Sequence, residues 1–143
     1  FVMPAVHIDG HVYYDGGLGQ GAGIPLQLAL DSGCSRIFAI LTRPKGFRKP
    51  APDIGRSARM IANSYHKYPY VREALLTRNE RYNAELEKLE QLAAEGKAYI
   101  VYADKMAVEN NTTDIKKLRS SYFDGYNQAQ KEFPRWLEWL GIE

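Results

Sequence analysis

At 143 residues, 45% apolar and 25% charged, the chain has the composition of one ordinary soluble globular domain, which excludes a disordered or fibrous class. Its net charge of +2 supplies no field for nucleic acid, and runs such as Ile37 to Leu41 are too short to cross a bilayer, with no charged-then-apolar signal ahead of them. A single cysteine, Cys34, excludes an internal disulfide framework and fits a reducing, cytoplasmic setting.

In chain order, Val6, Ile8, Val12 and Tyr14 flank Asp9-Gly10. Asp-Gly between two short apolar runs predicts a hairpin of antiparallel strands. The glycine-rich stretch from Gly16 to Gly23 follows. Pro25 has the fixed φ of a first helical position, Leu26, Ala29 and Leu30 make an apolar face, and Gly33 ends the helix. Ile37 to Thr42 reads as a buried strand. A strand, a helix and a strand within about thirty residues predict a parallel crossover of an α/β sheet.

The Pro-rich, basic loop Thr42 to Asp53 then reads as a boundary. Past it, Met60, Ile61 and Tyr65 predict a short helix, and Val71, Leu75, Tyr82, Leu86, Leu89 and Ala93 keep one long helical stripe that Gly96 closes. Ala98 to Tyr102 is the last strand. Thr113 is expected to cap a helix with Ile115, Leu118, Tyr122, Tyr126, Ala129 and Phe133 on its buried face, which Pro134 stops, leaving Trp136 to Leu140 as an apolar terminal turn. Two segments result: 1–50, carrying the glycines, and a mainly helical region, 51–143. Because the chain starts at Phe1, it reads as a processed chain or a fragment.

Three functions fit the glycine-rich stretch. Gly17-Leu18-Gly19-Gln20-Gly21-Ala22 matches a dinucleotide fingerprint with Ala in third place, and Arg43 at the next strand end suits a 2′-phosphate of NADP. Against this, the helix begins beyond the motif, and phosphate capture needs its N-terminus inside the glycine run. A second reading makes the glycines a flexible loop and nothing more. In the third, Asp15 at a strand's C-terminal end carries the chemistry, and Gly16 and Gly17 shape the turn that presents it. Free aspartate titrates at about 3.9, so a proton-accepting Asp15 needs a positioned hydroxyl and some exclusion of water. No Gly-x-Ser-x-Gly elbow supplies that hydroxyl here; Ser32-Gly33-Cys34-Ser35 and Gly55-Arg56-Ser57 lack the spacing.

The stretch "VHIDGHVYYDGGLGQGAGIPLQLALDSGCSRIFAILTRPKGFRK" resembles the last third of the catalytic domain of bacterial patatin-like phospholipases. Asp-Gly-Gly, the Ile-Pro-Leu helix start and the Leu-Thr-Arg-Pro strand end come in that family's order. "YNAELEKLEQLAAEGKAYIVYADKM" and "DIKKLRSSYFDGYNQA" resemble the helical C-terminal region of the same group. The resemblance implies a three-layer α/β/α domain followed by a mainly helical region. It also implies a cofactor-free hydrolase of carboxylic esters of lipids working by a Ser-Asp dyad. Asp15 takes the aspartate's place, while the oxyanion loop and the serine elbow lie outside these residues. The chain is then a C-terminal part of the enzyme, inactive alone, with a lipid ester as substrate.

Other features are expected to be structural. His7, Asp9 and His11 alternate but straddle a turn, so no metal site is expected. Cys34 reads as a small buried thiol. Arg43, Lys45, Arg48 and Lys49 around Phe47 form a solvated basic loop, with peripheral membrane contact as the alternative, and Trp136 and Trp139 are expected to dock into a core. A sheet lacking its neighbouring strands predicts association with the N-terminal part or with a second copy. The competing class is a non-catalytic interaction or regulatory domain, in which Asp15 is only a turn residue.

Overall fold

In the computed structural model, which describes residues 5–51, 55–109 and 111–142, Asp9 and Gly10 have φ of 50° and 78°. These are the signs a tight primed turn demands, and the turn joins β1 (Val6–Ile8) to β2 (His11–Tyr13) in antiparallel register, Val6 opposite Tyr13. Residues 1–4, Pro52 and Asp53 of the basic loop, and Glu143 lie outside the described residues. A turn of 3-10 helix at Gly16–Leu18 precedes α1 (Leu26–Asp31) and β3 (Ile37–Leu41). Then come α2 (Arg56–Ser64), α3 (Pro69–Leu76), α4 (Arg78–Ala94), β4 (Ala98–Tyr102) and α5 (Ile115–Leu140). The class is mixed α/β, with small sheets and a long C-terminal helix.

The expected crossover from β2 to β3 does not form. β3 pairs in parallel with β4, Ile37 opposite Ala98 and Leu41 opposite Tyr102, and the hairpin forms a separate two-stranded sheet. The right spacing was present at both places, but only α4 offers an apolar face long enough to cover the sheet. Tyr82, Leu86 and Leu89 of α4 bury against Ala22 and Ile24 from the glycine loop, Leu26 from α1 and Ala98 from β4, with Ile37, Ala39, Leu41 and Ile100 packed alongside. The core is therefore shared by residues on both sides of position 50.

Alternation along the strands turns Phe38 and Tyr99 to the opposite face. Their rings stack 5.5 Å apart, and Trp136 and Trp139 of α5 close over Phe38 at 5.8 and 6.1 Å. The Arg36 guanidinium lies 4.1 Å above the Trp139 ring and donates to the Trp139 carbonyl.

Four local expectations are corrected. The long stripe from Val71 to Ala93 is two helices, because Thr77 leaves the helical region at φ −93°, ψ 2° and returns its hydroxyl to the Glu73 carbonyl at 2.9 Å. Asp114, not Thr113, caps α5, accepting from the Lys116 and Lys117 amides at 2.9 and 3.4 Å. Pro134 does not stop α5. It forfeits the bond to the Gln130 carbonyl, a loss of about 3 kcal/mol in a helix interior, but a continuous helix sets Trp136 and Trp139 at the i, i+3 spacing their shared seat on Phe38 requires. Cys34 is exposed rather than buried, since it follows the end of α1 at Ser32-Gly33.

The face of α5 expected to be buried is also largely open: Ile115, Leu118, Tyr122, Tyr126 and Phe133 are all exposed. The helix meets the sheet through its C-terminal half, from Gln128 on the Tyr102 carbonyl to the tryptophans on Phe38. Leu89, 1% exposed, sits at the centre of the packed part. Leu89→Ala should destabilise the fold by about 2 to 5 kcal/mol, read as a lower urea midpoint at unchanged slope.

Candidate functional site

Asp15 leaves β2 after Tyr14 and caps the 3-10 turn. One carboxylate oxygen, Oδ1, accepts the Gly17 amide at 2.6 Å, while the Leu18 and Gly19 amides close the turn onto the Asp15 and Gly16 carbonyls. The arrangement is an Asx turn, favoured because a short carboxylate reaches its own backbone two residues on. Asp15 is exposed, and Oδ2 has no hydrogen-bond partner among the described residues. Asp15, Gly16 and Gly17 line one open cleft of about 610 Å³ with Ile24, Pro25 and Arg78.

Gly17 is buried, and a Cβ there would collide with the Arg78 guanidinium and the Asp15 carboxylate. A Cβ at Gly21 would overlap the Ile24 carbonyl. These two glycines are required by close approach. Ala22, with φ 50°, is the non-glycine residue of the loop in left-handed conformation, and it is 1% exposed, so packing holds a backbone that alanine disfavours.

The loop is held from α4. Arg81 donates from Nη1 to the Leu18, Gly19 and Gln20 carbonyls and from Nη2 to Leu18 and, at 2.7 Å, Ala74. Its Nε donates to the Thr77 hydroxyl at 3.1 Å. Asn83 exchanges a reciprocal pair of 2.9 Å bonds with the Lys49 backbone, and Asn79 donates to the Pro50 carbonyl at 3.0 Å. Buried Glu85 accepts the Gln27 amide at 3.2 Å and pairs with Lys88 at 3.1 Å. That last contact bears on phosphate binding. An anion already sits at the amino end of α1, and α1 starts at Leu26, beyond the Gly17 to Ala22 motif.

Positive charge surrounds the aspartate. The Lys49 ammonium stands 3.8 Å over the Tyr82 ring. Burial first, then repulsion from Arg78 and Arg43, push its pKa down, and Asp15 opposes them. The Arg78 Nε is buried without a hydrogen-bond partner. In the basic loop, half-buried Arg43 lies over Phe47 at 5.0 Å, while Arg48 is exposed and pairs with Glu90.

A second open cleft, of about 550 Å³, lies where the C-terminal ends of β3 and β4 face α5, between Thr42, Ala103, Asp104 and Asp124. Gln128 spans its floor, donating to the Tyr102 carbonyl at 2.7 Å and accepting the Asp104 amide at 3.0 Å. Neither cleft brings the hairpin histidines to Asp15. His7 lies opposite Val12 and His11 opposite Ile8, and among the described residues no group of His, Cys, Asp or Glu is placed to hold a metal ion.

Arg78, Arg81 and Glu85 were not visible as site residues in the sequence, and Lys49 stood out only as part of the basic loop. The available signal was a charge, Glu85, inside the apolar stripe of Tyr82, Leu86 and Leu89, where an unpaired carboxylate is expensive.

The chain belongs to the family described as Domain of unknown function (DUF6363), which matches residues 68–141, from the start of α3 through α5. Comparison with curated proteins and with solved structures yields no match. Among the described residues no helix is long and apolar enough to cross a membrane.

Tyr102 lies between the second cleft and α4, donating to Glu90 at 3.1 Å. Burial, then the Glu90 carboxylate, push its pKa up to about 12. A raised acid favours the folded state fully below the ordinary tyrosine value of about 10 and ceases to do so as pH rises through the folded value. The urea midpoint should therefore fall between pH 10 and about 12, and Tyr102→Phe should flatten that limb.

Proposed function

We propose that the chain is the C-terminal part of a patatin-like lipid acyl hydrolase, in which Asp15 accepts the proton of a serine supplied from outside these residues. The observation that carries this reading is the Asp15 turn. One carboxylate oxygen is fixed by the Gly17 amide and the other is left open on a cleft with an apolar flank, Ile24 and Pro25. A carboxylate held in one rotamer yet half free is what a Ser-Asp dyad needs.

In this mechanism the serine oxygen attacks the ester carbonyl as its proton passes to Asp15, and the proton then goes to the departing alcohol. Water afterwards attacks the acyl-serine carbonyl as it gives up a proton to the same carboxylate, and Asp15 returns that proton to the serine oxygen as the acid departs. The oxyanion is received by backbone amides of the part that carries the serine. No cofactor or metal enters these steps. The fold is then the end of a three-layer α/β/α domain followed by the helical region, in a cytoplasmic protein. Its partners are a lipid ester and the serine-bearing N-terminal part, or a second copy, with peripheral membrane contact through the basic loop.

A second reading, a non-catalytic interaction domain, draws on the exposed aromatic stripe of Tyr122, Phe123, Tyr126 and Phe133 on α5. An NADP site has less support, because Glu85 occupies the helix terminus a phosphate would use.

In the longer polypeptide, Asp15→Asn should lower ester hydrolysis by about 10²- to 10⁴-fold without moving the thermal midpoint by more than a few degrees; retained activity overturns the dyad. These 143 residues alone should not react with a fluorophosphonate probe, and labelling would place the nucleophile inside them. Light scattering should show self-association of the isolated chain or its capture by the N-terminal part, and a monodisperse monomer indifferent to that part contradicts the partner assignment.

A further inference from the structure

We infer that Arg81 is the positioning residue of Asp15, and that helix α4, within the region matched by DUF6363, serves as the template that sets the site loop. The inference rests on the reading of Asp15 as the serine's partner and adds to it a role for the family's own helix. Arg81 lies more than sixty positions from the loop it grips. Its guanidinium gathers carbonyls from three successive loop residues, Leu18, Gly19 and Gln20, and ties them to the carbonyl of Ala74 and the hydroxyl of Thr77 at the α3–α4 junction.

The carbonyls so held belong to the peptide groups that follow the Asx turn. The Leu18 and Gly19 amides close the 3-10 turn, and the amide of Gly17, inside that turn, holds Oδ1 of Asp15. Each peptide group is planar, so holding the Leu18 carbonyl holds the Gly19 amide of the same plane; that amide bonds the Gly16 carbonyl, whose plane carries the Gly17 amide. With it is fixed the rotamer that leaves Oδ2 open to the cleft. Arg81 makes no bond to the carboxylate and bonds only the backbone of Gly19 and Gln20 in the cleft wall, so its effect reaches Asp15 through the turn.

Two features show why a guanidinium is needed. Three successive carbonyls, Leu18, Gly19 and Gln20, converge on one nitrogen of the side chain. Five N–H donors in a planar fork can also span several carbonyls at once, whereas the ammonium of lysine is a single point. The break between α3 and α4 belongs to the same device. It sets the Ala74 carbonyl and the Thr77 hydroxyl beside Arg81, so the guanidinium joins the loop to the helix pair rather than to one flexible side chain.

The test compares Arg81→Gln and Arg81→Lys with the native residue in two measurements. In the chain itself, amide hydrogen exchange at Leu18 and Gly19 should accelerate about tenfold or more in Arg81→Gln, while Leu86 and Leu89 amides keep their protection. In the longer polypeptide, kcat for a water-soluble ester should fall by about 10- to 100-fold with KM nearly unchanged. Arg81→Lys should restore little of it, and added guanidinium ion should rescue Arg81→Ala in part. Unchanged exchange at Leu18 and Gly19 overturns the clamp. Accelerated exchange with undiminished kcat overturns its role in positioning Asp15. If hydrolysis by the native enzyme is indifferent to Asp15→Asn, the dyad reading fails, and exchange still decides the clamp.

Discussion

The packing of α4 against the glycine loop is the constraint on which the remaining structure depends. One face of this helix carries Tyr82, Leu86 and Leu89 into the core, and its margins carry Arg78 and Arg81 to the glycine loop, Asn83 to the Lys49 backbone in the basic loop and Glu85 to the start of α1. The apolar face fixes where the helix lies, through about 25 cal/mol per Å² of apolar surface removed from water. The polar margins fix how the loop runs over it. Remove the first and both the platform and the packing that holds Ala22 are lost; remove the second and the Leu18, Gly19 and Gln20 carbonyls lose their tie to the helix.

That division explains what could be read in the sequence. The Asp9-Gly10 hairpin, α1 after Pro25, β3 and β4 were legible because each is specified by neighbours a few residues away: turn chemistry, fixed φ, or a short apolar run. Asp15, Gly16 and Gly17 were legible as a group for the same reason, and the structure puts them in one cleft. The pairing of β3 with β4 instead of β2 was not legible, since it depends on which helix can cover the sheet. Arg81 was hidden because its partners are backbone carbonyls, and any residue presents those. Pro134 misled because a local rule of about 3 kcal/mol is outweighed by the seat of two tryptophans on Phe38.

The buried polar groups left over are instructive in a structure otherwise well satisfied. Trp136 and Arg78 each bury a ring or guanidine N–H without a partner, a situation that costs roughly 1 to 3 kcal/mol per group. Both line clefts: Trp136 the one at the strand ends, Arg78 the one at Asp15. At Arg78 the arrangement has a geometric cause. Its guanidinium is packed against the Gly17 backbone, the close approach that excludes a side chain at Gly17, and it meets repulsion from Lys49 rather than an ion pair. Among the described residues Arg78 has no ion pair, so the positive charge near Asp15 is set by packing.

A parallel pair of strands is unusual as a complete sheet, because parallel sheets are stable when both faces are covered and several strands share the ladder. Here the faces are covered, by α4 on one side and by the tryptophans of α5 on the other, yet among the described residues β3 and β4 have no further strand beside them. Open edges of this kind invite another strand. The exposed hairpin, with Val6, Ile8 and Val12 each more than half exposed, presents a second unpaired surface next to the Asp15 turn. In the proposed enzyme these surfaces do one job. Strands that extend the β3–β4 sheet and a segment that covers the hairpin would together bring an external serine toward Oδ2 of Asp15, so completing the sheet and completing the dyad would be the same event.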